Sequence, residues 1–265
     1  MTSAAPAARV DATWLRSFHK ASPDAPLLIC FPHAGGSASY FYALSGLLAP
    51  EVEVLAVQYP GRQDRSAERS PESLADLADL LAEVLAPLTG PRTSFFGHSM
   101  GSVLAFEVAR RTVGRPGGGP LALFASGYPA PSLIRGGQVH RRDDAGLVQE
   151  LRELGGIDEH WLDDANLLAT ILPPLRADYR LIETHPRSAQ TLGDVPVTAF
   201  TGDRDPHTTR AEAEAWREVT TGPFTLRVLA GGHFYLDDHL PAVTQAVRAT
   251  IEQAAAVGAS RQDPV

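Results

Sequence analysis

The chain has 265 residues, of which 44% are hydrophobic and 20% are charged, and its formal net charge at pH 7 is −8. This length supports one large α/β domain, and the negative charge without long lysine or arginine runs argues against nucleic-acid binding. The sequence lacks the apolar stretch of about 18 residues that a membrane helix needs, and its first residues do not resemble a signal peptide. We therefore expect a cytosolic protein with no membrane contact.

Hydrophobic patterning predicts seven strands in alternation with helices. The predicted strands span residues 14–19, 27–31, 52–58, 93–96, 121–126, 195–201 and 224–229. The predicted helices span residues 71–85, 102–111, 144–154, 160–178, 208–219 and 239–256. Ser70 is the predicted cap of the first helix, with Pro71 at its first position. This alternation predicts an α/β fold with a mostly parallel central sheet and helices on both faces.

The alternation stops between residues 130 and 192, where short helical pieces are separated by glycine and proline. Pro173 and Pro174 are predicted to break one of these pieces. We expect one domain over residues 1–265, with residues 130–192 inserted as a helical lid over the carboxyl edge of the sheet. Both termini are expected to be loose, including a tail at residues 257–265.

A serine lies on a predicted strand-to-helix turn, in Gly97-His98-Ser99-Met100-Gly101. The G-x-S-x-G pattern in this context is typical of hydrolases that hold a nucleophilic serine on a sharp, strained turn. Glycine is needed on both sides because larger side chains would collide there. Ser99 is therefore the candidate nucleophile. The only cysteine, Cys30, lies in an apolar strand and is interpreted as a core residue.

A nucleophilic serine needs a histidine base and a carboxylate that orients it, each in a loop after a late strand. His233 follows the strand at 224–229 and is the candidate base. Asp203 and Asp205 both follow the strand at 195–201; Asp205 is the favoured acid, while Asp203 is expected to brace the loop through backbone amides. His98 is expected to pack beneath the turn.

Backbone amides are suitable donors for the oxyanion of an acyl-transfer intermediate. The predicted pair consists of Met100, directly after the nucleophile, and Ala34, in the Pro32-His33-Ala34-Gly35-Gly36 loop after the strand at 27–31. The glycines permit close approach of the backbone. Because neither G-x-G-x-x-G nor G-x-x-x-x-G-K-[ST] is present, this loop is not predicted to bind a nucleotide.

Three separated motifs carry a resemblance to a known family. These are Phe31-Pro32-His33-Ala34-Gly35-Gly36, Gln58-Tyr59-Pro60-Gly61-Arg62 and the nucleophile turn itself. Together with the loops that contain Asp205 and His233, they resemble the type II thioesterases of polyketide and nonribosomal peptide assembly lines, which have the α/β-hydrolase fold. The resemblance covers roughly residues 13–255.

The resemblance implies an editing hydrolase that removes stalled acyl groups from the phosphopantetheine arm of acyl or peptidyl carrier proteins. It also implies a discrete cytosolic protein, expected to be a monomer, with a lid over the acyl pocket and no metal or redox cofactor. As a hypothesis for carrier binding, the arginines near the site mouth form a basic patch; they are Arg62, Arg65, Arg135, Arg141 and Arg142. Most apolar lid residues are expected to pack as core.

Three other functions remain open on the sequence. A general carboxylesterase or lipase would use the same catalytic residues, because a fold does not fix a substrate. A hydrolase-fold binding protein would usually lack one of the three. A thioesterase that cyclises a finished product is the third, and the free-standing domain favours hydrolysis over it.

Overall fold

The computed structural model describes residues 12–115, 117–156 and 159–262. Within these residues seven strands form one sheet in the order β1-β3-β2-β4-β5-β6-β7. The strands are β1 (Leu15–Arg16), β2 (Leu27–Phe31), β3 (Glu53–Val57), β4 (Thr93–His98), β5 (Leu123–Ser126), β6 (Val197–Gly202) and β7 (Phe224–Leu229). Neighbouring strands are parallel except for β1, which pairs antiparallel with β3 at one edge. The mostly parallel sheet is thus confirmed.

Helices cover both faces of this sheet, as predicted. They are α1 (Tyr42–Leu48), α2 (Leu74–Leu85), α3 (Met100–Thr112), α4 (Asp144–Leu154), α5 (Ala165–Glu183), α6 (Arg210–Glu214) and α7 (Leu236–Gln262). Helices α2 and α3 pack in one hydrophobic cluster, and α1 and α7 pack in the cluster on the opposite face. The sequence did not predict α1. Among the described helices, none combines the length and apolar character that a membrane span requires.

The predicted start of α2 is wrong. The cap is Ser73 rather than Ser70, since the Ser73 side chain accepts the backbone N–H of Asp76 at 3.1 Å. Pro71 lies before the helix. Ser73 has extended backbone angles and directly precedes Leu74, the first of the buried leucines on the helix face. The apolar spacing therefore sets the start of the helix, and a serine in the cap position satisfies a free backbone donor.

Two further predictions are also wrong, the helix break at Pro173 and Pro174 and the helix end before residue 257. Pro173 and Pro174 lie inside α5 and do not break it. The oxygens that lose a helical donor there belong to Ala169 and Thr170, both exposed residues, so water can take the place of the missing N–H groups. At the other end of the chain, α7 continues to Gln262 instead of ending in a tail at 257; residues 1–11 and 263–265 lie outside the described residues.

Residues 130–192 carry α4 and α5 and have a small hydrophobic cluster of their own. That cluster consists of Val139, Leu147, Val148, Leu151, Leu162, Leu172, Leu175 and Tyr179. The end of α5 instead joins the main core through Leu181 and Ile182. Among the apolar side chains of residues 161–179 that are predicted to pack mainly as core, Leu162, Leu172, Leu175 and Tyr179 are buried, Leu167, Leu168 and Ile171 are half-buried, and Trp161 is 48% exposed. Packing on two clusters holds the inserted segment against the sheet.

Helix α3 contains a buried carboxylate, Glu107, whose side chain is 2% exposed. It pairs with Arg110 at 2.7 Å, with Arg111, and with His185 at 3.6 Å. Burial opposes ionisation of Glu107, but hydrogen bonds from His185, Arg110 and Arg111 outweigh that effect and lower its pKa to about 2. This carboxylate therefore stabilises the fold in its ionised form.

We expect Glu107→Gln to flatten the acid dependence of stability. A carboxyl group whose pKa is lower in the folded chain stabilises it fully above its ordinary pKa of 4.5, and this contribution declines as the pH falls toward 2. Between pH 6 and pH 3.5 the wild type should lose about 1 kcal/mol more unfolding free energy than the variant, measured by urea denaturation. Glu83→Gln, at a residue 74% exposed, is the control; equal slopes for wild type and Glu107→Gln would contradict the assignment.

Candidate active site

Ser99 lies between the end of β4 and the start of α3, with a positive φ of 55°. A side chain at Gly97 would collide with the backbone of Gly101, and one at Gly101 would collide with the carbonyl of Phe31. Only glycine fits at these two positions because the strand and helix backbones approach so closely. The turn therefore has the sharp, strained geometry that exposes a serine hydroxyl at the carboxyl edge of a sheet.

The structure brings His233 and Asp205 together. The Nδ1 atom of His233 lies 3.0 and 3.1 Å from the two carboxylate oxygens of Asp205. Both side chains are buried, with 2% and 0% exposure. Asp205 also accepts the backbone N–H of His207 at 2.8 Å, which fixes the carboxylate. With Nδ1 held in this way, Nε2 is the imidazole nitrogen left for proton transfer.

Asp203 has a different place in the same loop. Its carboxylate accepts the backbone N–H of Gly231 at 2.8 Å and remains half-exposed. This hydrogen bond is the main reason that the pKa of Asp203 is lowered. Asp203 therefore joins the loop after β6 to the loop after β7, and the structure places Asp205, not Asp203, against His233.

Ser99 and His233 line one small cavity of about 100 Å³. Its other walls are mainly apolar, with Leu151, Leu154, Ile171, Leu175 and Phe234 among them. No hydrogen bond joins the Ser99 hydroxyl to His233 within the described part of the chain. Such bonds are often long in ligand-free active sites and tighten when substrate binds.

The backbone N–H groups of the two predicted oxyanion donors have no acceptor among the described residues. Neither Ala34 nor Met100 donates a backbone hydrogen bond to residues 12–115, 117–156 or 159–262. Ala34 lines both the small cavity and a second one that also reaches Ser99 and Met100. The next amide along, that of Gly35, is engaged by the carboxylate of Asp178 at 2.8 Å. The free amides beside Ser99 are available to a negatively charged oxygen.

A second cavity, of about 250 Å³, also has Ser99 in its lining. Its lining is more polar and includes Gly136, Gly137 and His207. Arg135 also lines it, and the Arg135 side chain is 70% exposed and paired with Glu212. Ser99 is therefore reached by two spaces of different size and chemistry.

Behind His233 lies a buried polar chain that sequence reasoning did not find. His98 is fully buried, as expected for a residue beneath the turn, and its Nδ1 lies 2.9 Å from the Ser126 hydroxyl. Ser126 is in turn 2.6 Å from the hydroxyl of Tyr235. Burial, followed by the nearby charge of His233, lowers the pKa of His98 well below its ordinary value. His98 thus stays neutral and supports the loop of His233.

His33 is a second neutral histidine at the site. Burial, with smaller contributions from the charges of His233 and Arg62, lowers the pKa of His33 to about 3. The ring contacts Phe234 with a centroid distance of 5.0 Å and forms part of the cavity wall. At neutral pH, His33 therefore contributes shape and not charge.

The proposed basic patch needs correction. Arg62 and Arg65 are each only 5% exposed, so they cannot present charge to a partner. Arg65 stacks over the Trp14 ring at 4.0 Å and donates to the carbonyl of Gln58 at 2.7 Å. The sequence around Arg62 and Arg65 has no local pattern that would show these side chains to be buried. The other three arginines of the predicted patch, Arg135, Arg141 and Arg142, are exposed.

Among the described residues, no group of three or more histidine, cysteine, aspartate or glutamate side chains is placed to hold a metal ion. The chemical groups at the site are the Ser99 hydroxyl, the imidazole of His233 with the carboxylate of Asp205, and the backbone amides of Ala34 and Met100. Such a set suits acyl transfer through a serine.

Comparison with known proteins assigns the chain to a family. The model of the thioesterase domain matches residues 26–251. The chain is 50% identical over 232 residues to a probable cadicidin biosynthesis thioesterase of Streptomyces griseus, covering 88% of this chain and 64% of that protein. It is 48% identical over 226 residues to thioesterase PikA5 of Streptomyces venezuelae, covering 85% and 80% respectively.

A solved structure shows the same architecture. The type II thioesterase BorB of the borrelidin biosynthetic cluster superposes with a TM-score of 0.84 at 46% sequence identity, covering 90% of this chain and 98% of that one. The family model spans most of the chain. The chain is a hydrolase of the α/β-hydrolase fold and belongs to the thioesterase family.

Proposed function

We propose that this enzyme hydrolyses stalled acyl groups from the phosphopantetheine arm of acyl or peptidyl carrier proteins. The main supporting observation is that His233, whose Nδ1 contacts the carboxylate of Asp205, lines one small apolar cavity together with Ser99. Three similar proteins support this proposal: a relative named for gramicidin S biosynthesis, a solved thioesterase from the prodiginine pathway and a solved type II thioesterase from the yersiniabactin pathway. Carrier-bound thioesters are the acyl intermediates of such pathways.

Acylation follows from the roles of the three side chains. Nε2 of His233 takes the hydroxyl proton of Ser99 while the serine oxygen attacks the thioester carbonyl. The amides of Ala34 and Met100 stabilise the resulting oxyanion because they are already free and rigid. The carbon–sulfur bond then breaks, and the imidazolium gives its proton to the leaving pantetheine thiolate. Asp205 orients His233 throughout and stabilises its charged form.

Deacylation uses the same groups. His233 takes a proton from water, whose oxygen attacks the acyl-serine carbonyl, and the same amides hold the second oxyanion. The ester bond breaks, Ser99 recovers its proton from His233, and the free acid leaves. Because a thiolate is a better leaving group than an alkoxide, acylation of Ser99 by the thioester is easier than hydrolysis of the acyl-serine ester.

The two cavities divide the substrate at its carbonyl. The smaller, apolar space beside Leu151, Leu154 and Ile171 is the site for the acyl chain. The larger and more polar space takes the amide-rich pantetheine arm, and Arg135 stands on its lining where the arm's phosphate would enter. Because the cavity for the acyl chain is small and the cavity for the pantetheine arm is larger, the site favours short acyl groups on the phosphopantetheine arm.

Arg135→Ala is expected to raise KM for acyl-phosphopantetheine by about tenfold, since an ionic hydrogen bond to phosphate contributes roughly 1.5–3 kcal/mol before screening. With acyl-pantetheine, which has no phosphate, KM should change less than twofold. Steady-state kinetics on both thioesters give the comparison. Arg115→Ala, at a cation paired with Glu83 away from the cavity, is the control; equal effects of Arg135→Ala on both substrates would contradict the phosphate contact.

A comparison of hydrolysis of a carrier thioester and of an oxygen ester tests the function. An acetyl- or propionyl-loaded carrier protein and a matched simple oxygen ester are incubated separately with the enzyme. Rapid loss of acyl mass from the carrier with slow cleavage of the ester supports carrier editing. If the ester is cleaved while the carrier stays loaded, the enzyme is a general esterase. If neither reacts with a folded chain, the binding-protein interpretation gains support.

A further inference from the structure

Helix α5 places one buried carboxylate on the loop that carries an oxyanion donor. Asp178 is 1% exposed, and its Oδ2 accepts the backbone N–H of Gly35 at 2.8 Å. The same oxygen pairs with the guanidinium of Arg62, which is itself 5% exposed. A buried ionised carboxylate is costly unless it is paired and hydrogen-bonded, and here Arg62 balances the charge while the N–H of Gly35 donates to Oδ2.

The contact fixes a backbone amide next to the catalytic one. Gly35 has a positive φ of 73°, and a side chain there would crowd Leu175 of the same helix. The N–H of Gly35 is directed at Asp178, whereas the preceding N–H, that of Ala34, has no acceptor among the described residues and lies at the cavity with Ser99. The helix therefore lies against this loop through a hydrogen bond and a close packing contact.

The segment 58–62 also supports the loop at residues 32–36. The Tyr59 hydroxyl donates to the carbonyl of Pro32 at 3.1 Å, and Tyr59 is fully buried. Arg62 donates to the carbonyl of Pro60 at 2.5 Å and lies over the Tyr59 ring. Burial lowers the pKa of Arg62 to about 10, so it remains a cation at neutral pH. The carboxylate of Asp178 thus links three segments of the chain at the oxyanion loop.

We propose that Asp178 is a positioning residue for the oxyanion hole: by accepting the N–H of Gly35, it orients the Ala34 amide toward the carbonyl attacked by Ser99. This role rests on the proposed function. It assigns the inserted segment a part in the chemical step beyond covering the site. Asp178 touches neither substrate nor the reacting atoms, and acts through the loop.

Two double variants separate this role from a simple buried ion pair. Arg62→Gln with Asp178→Asn removes both charges but keeps an oxygen acceptor for the N–H of Gly35. Arg62→Met with Asp178→Leu also removes both charges and leaves that N–H without a partner. Both avoid an unpaired buried charge, which would confuse loss of activity with loss of folding.

The measurements are kcat and KM on an acyl-pantetheine thioester, the rate of Ser99 labelling by a fluorophosphonate, and thermal unfolding. We expect the Met/Leu pair to lower kcat and the labelling rate by about 100-fold with KM changed less than threefold, as for loss of one oxyanion donor. The Gln/Asn pair should stay within about fivefold of wild type. Both are assayed at least 10 °C below their unfolding midpoints. Glu107→Gln, at another buried ion pair, reports the effect of lost stability alone.

A folded Met/Leu variant with kcat within threefold of wild type would overturn the positioning role. Equal loss of activity in both pairs would also overturn it, because the ion pair and not the acceptor would then matter. If the Met/Leu pair does not fold, Asp178→Asn and Asp178→Ala are compared for the same kcat difference, with an equal loss counting against the role. Ser99→Ala is included in each assay. Turnover at the wild-type rate in that variant would contradict the proposed function, whereas the comparison of the Asp178 variants tests only the positioning role.

Discussion

Replacing Ser99 with alanine is expected to lower kcat on an acyl-carrier thioester by about ten-thousandfold or more, since no covalent intermediate can form. Ser99 lies on the strained turn between β4 and α3 and lines the cavity with His233. Hydrolysis is measured by release of free thiol under saturating substrate. The fold should be unaffected, because the Ser99 side chain makes no hydrogen bond within the described part of the chain.

A neighbouring serine gives a matched control for this prediction. Ser102 is buried in the first turn of α3, where its hydroxyl donates to the carbonyl of Ser99 at 2.7 Å. Ser102→Ala should cost some stability through the lost hydrogen bond and leave kcat within about tenfold. Turnover by a folded Ser99→Ala protein within tenfold of wild type would exclude Ser99 as the nucleophile.

Asp205→Asn should lower kcat by about a thousandfold to ten-thousandfold while the fold persists. The amide keeps the size of the carboxylate but loses the charge that stabilises the imidazolium of His233, and it favours the wrong tautomer. The Nδ1 atom of His233 lies 3.0 Å from the nearer Asp205 oxygen, so the effect acts directly on the base. Steady-state kinetics from pH 6 to pH 9 measure it.

Asp203→Asn is the matched comparison in the same loop. Asp203 accepts the N–H of Gly231 and an asparagine oxygen can accept the same hydrogen bond. We therefore expect kcat within about fivefold of wild type and a small loss of stability. A larger loss of kcat for Asp203→Asn than for Asp205→Asn would reverse the assignment of the acid.

The strands and the candidate catalytic residues could be predicted because their signals are local. Apolar runs of five or six residues followed by glycine, aspartate or histidine mark parallel strands and the loops at their carboxyl ends. Such ends meet at one sheet edge, so Ser99, Asp205 and His233 could be placed together from chain order alone. The structure brings them to that edge, with Asp205 and His233 in contact.

The residues that sequence reasoning missed depend on contacts between distant segments. Asp178 lies 143 positions from Gly35, and Ser126 lies 109 positions from Tyr235, so no periodicity relates them. A buried aspartate in a helix looks like a surface residue until its partners are known. The burial of Arg62 was missed for the same reason. Its neighbours in the sequence are typical of a surface segment, but its side chain is buried against Asp178.

The expectation that proline breaks a helix was wrong where tertiary packing was strong. Helix α5 continues through Pro173 and Pro174 because Leu172 and Leu175 are buried on either side of them. Local propensity is a weak guide when a helix face is fixed by such packing. The missed helix α1 is short, and tertiary packing of its buried face supplies most of its stability.

The most direct test of the central mechanism follows the acyl group from the carrier to the enzyme. Wild type, Ser99→Ala and Asp205→Asn are mixed with an acetyl-loaded carrier, quenched at intervals and measured by intact-protein mass spectrometry. We predict that the carrier loses the acetyl mass as wild type or Asp205→Asn gains it at Ser99, before free acetate accumulates, and that Ser99→Ala gains none. Deacylation of the carrier with no acyl-enzyme at any time and equal rates in Ser99→Ala would contradict covalent catalysis by Ser99.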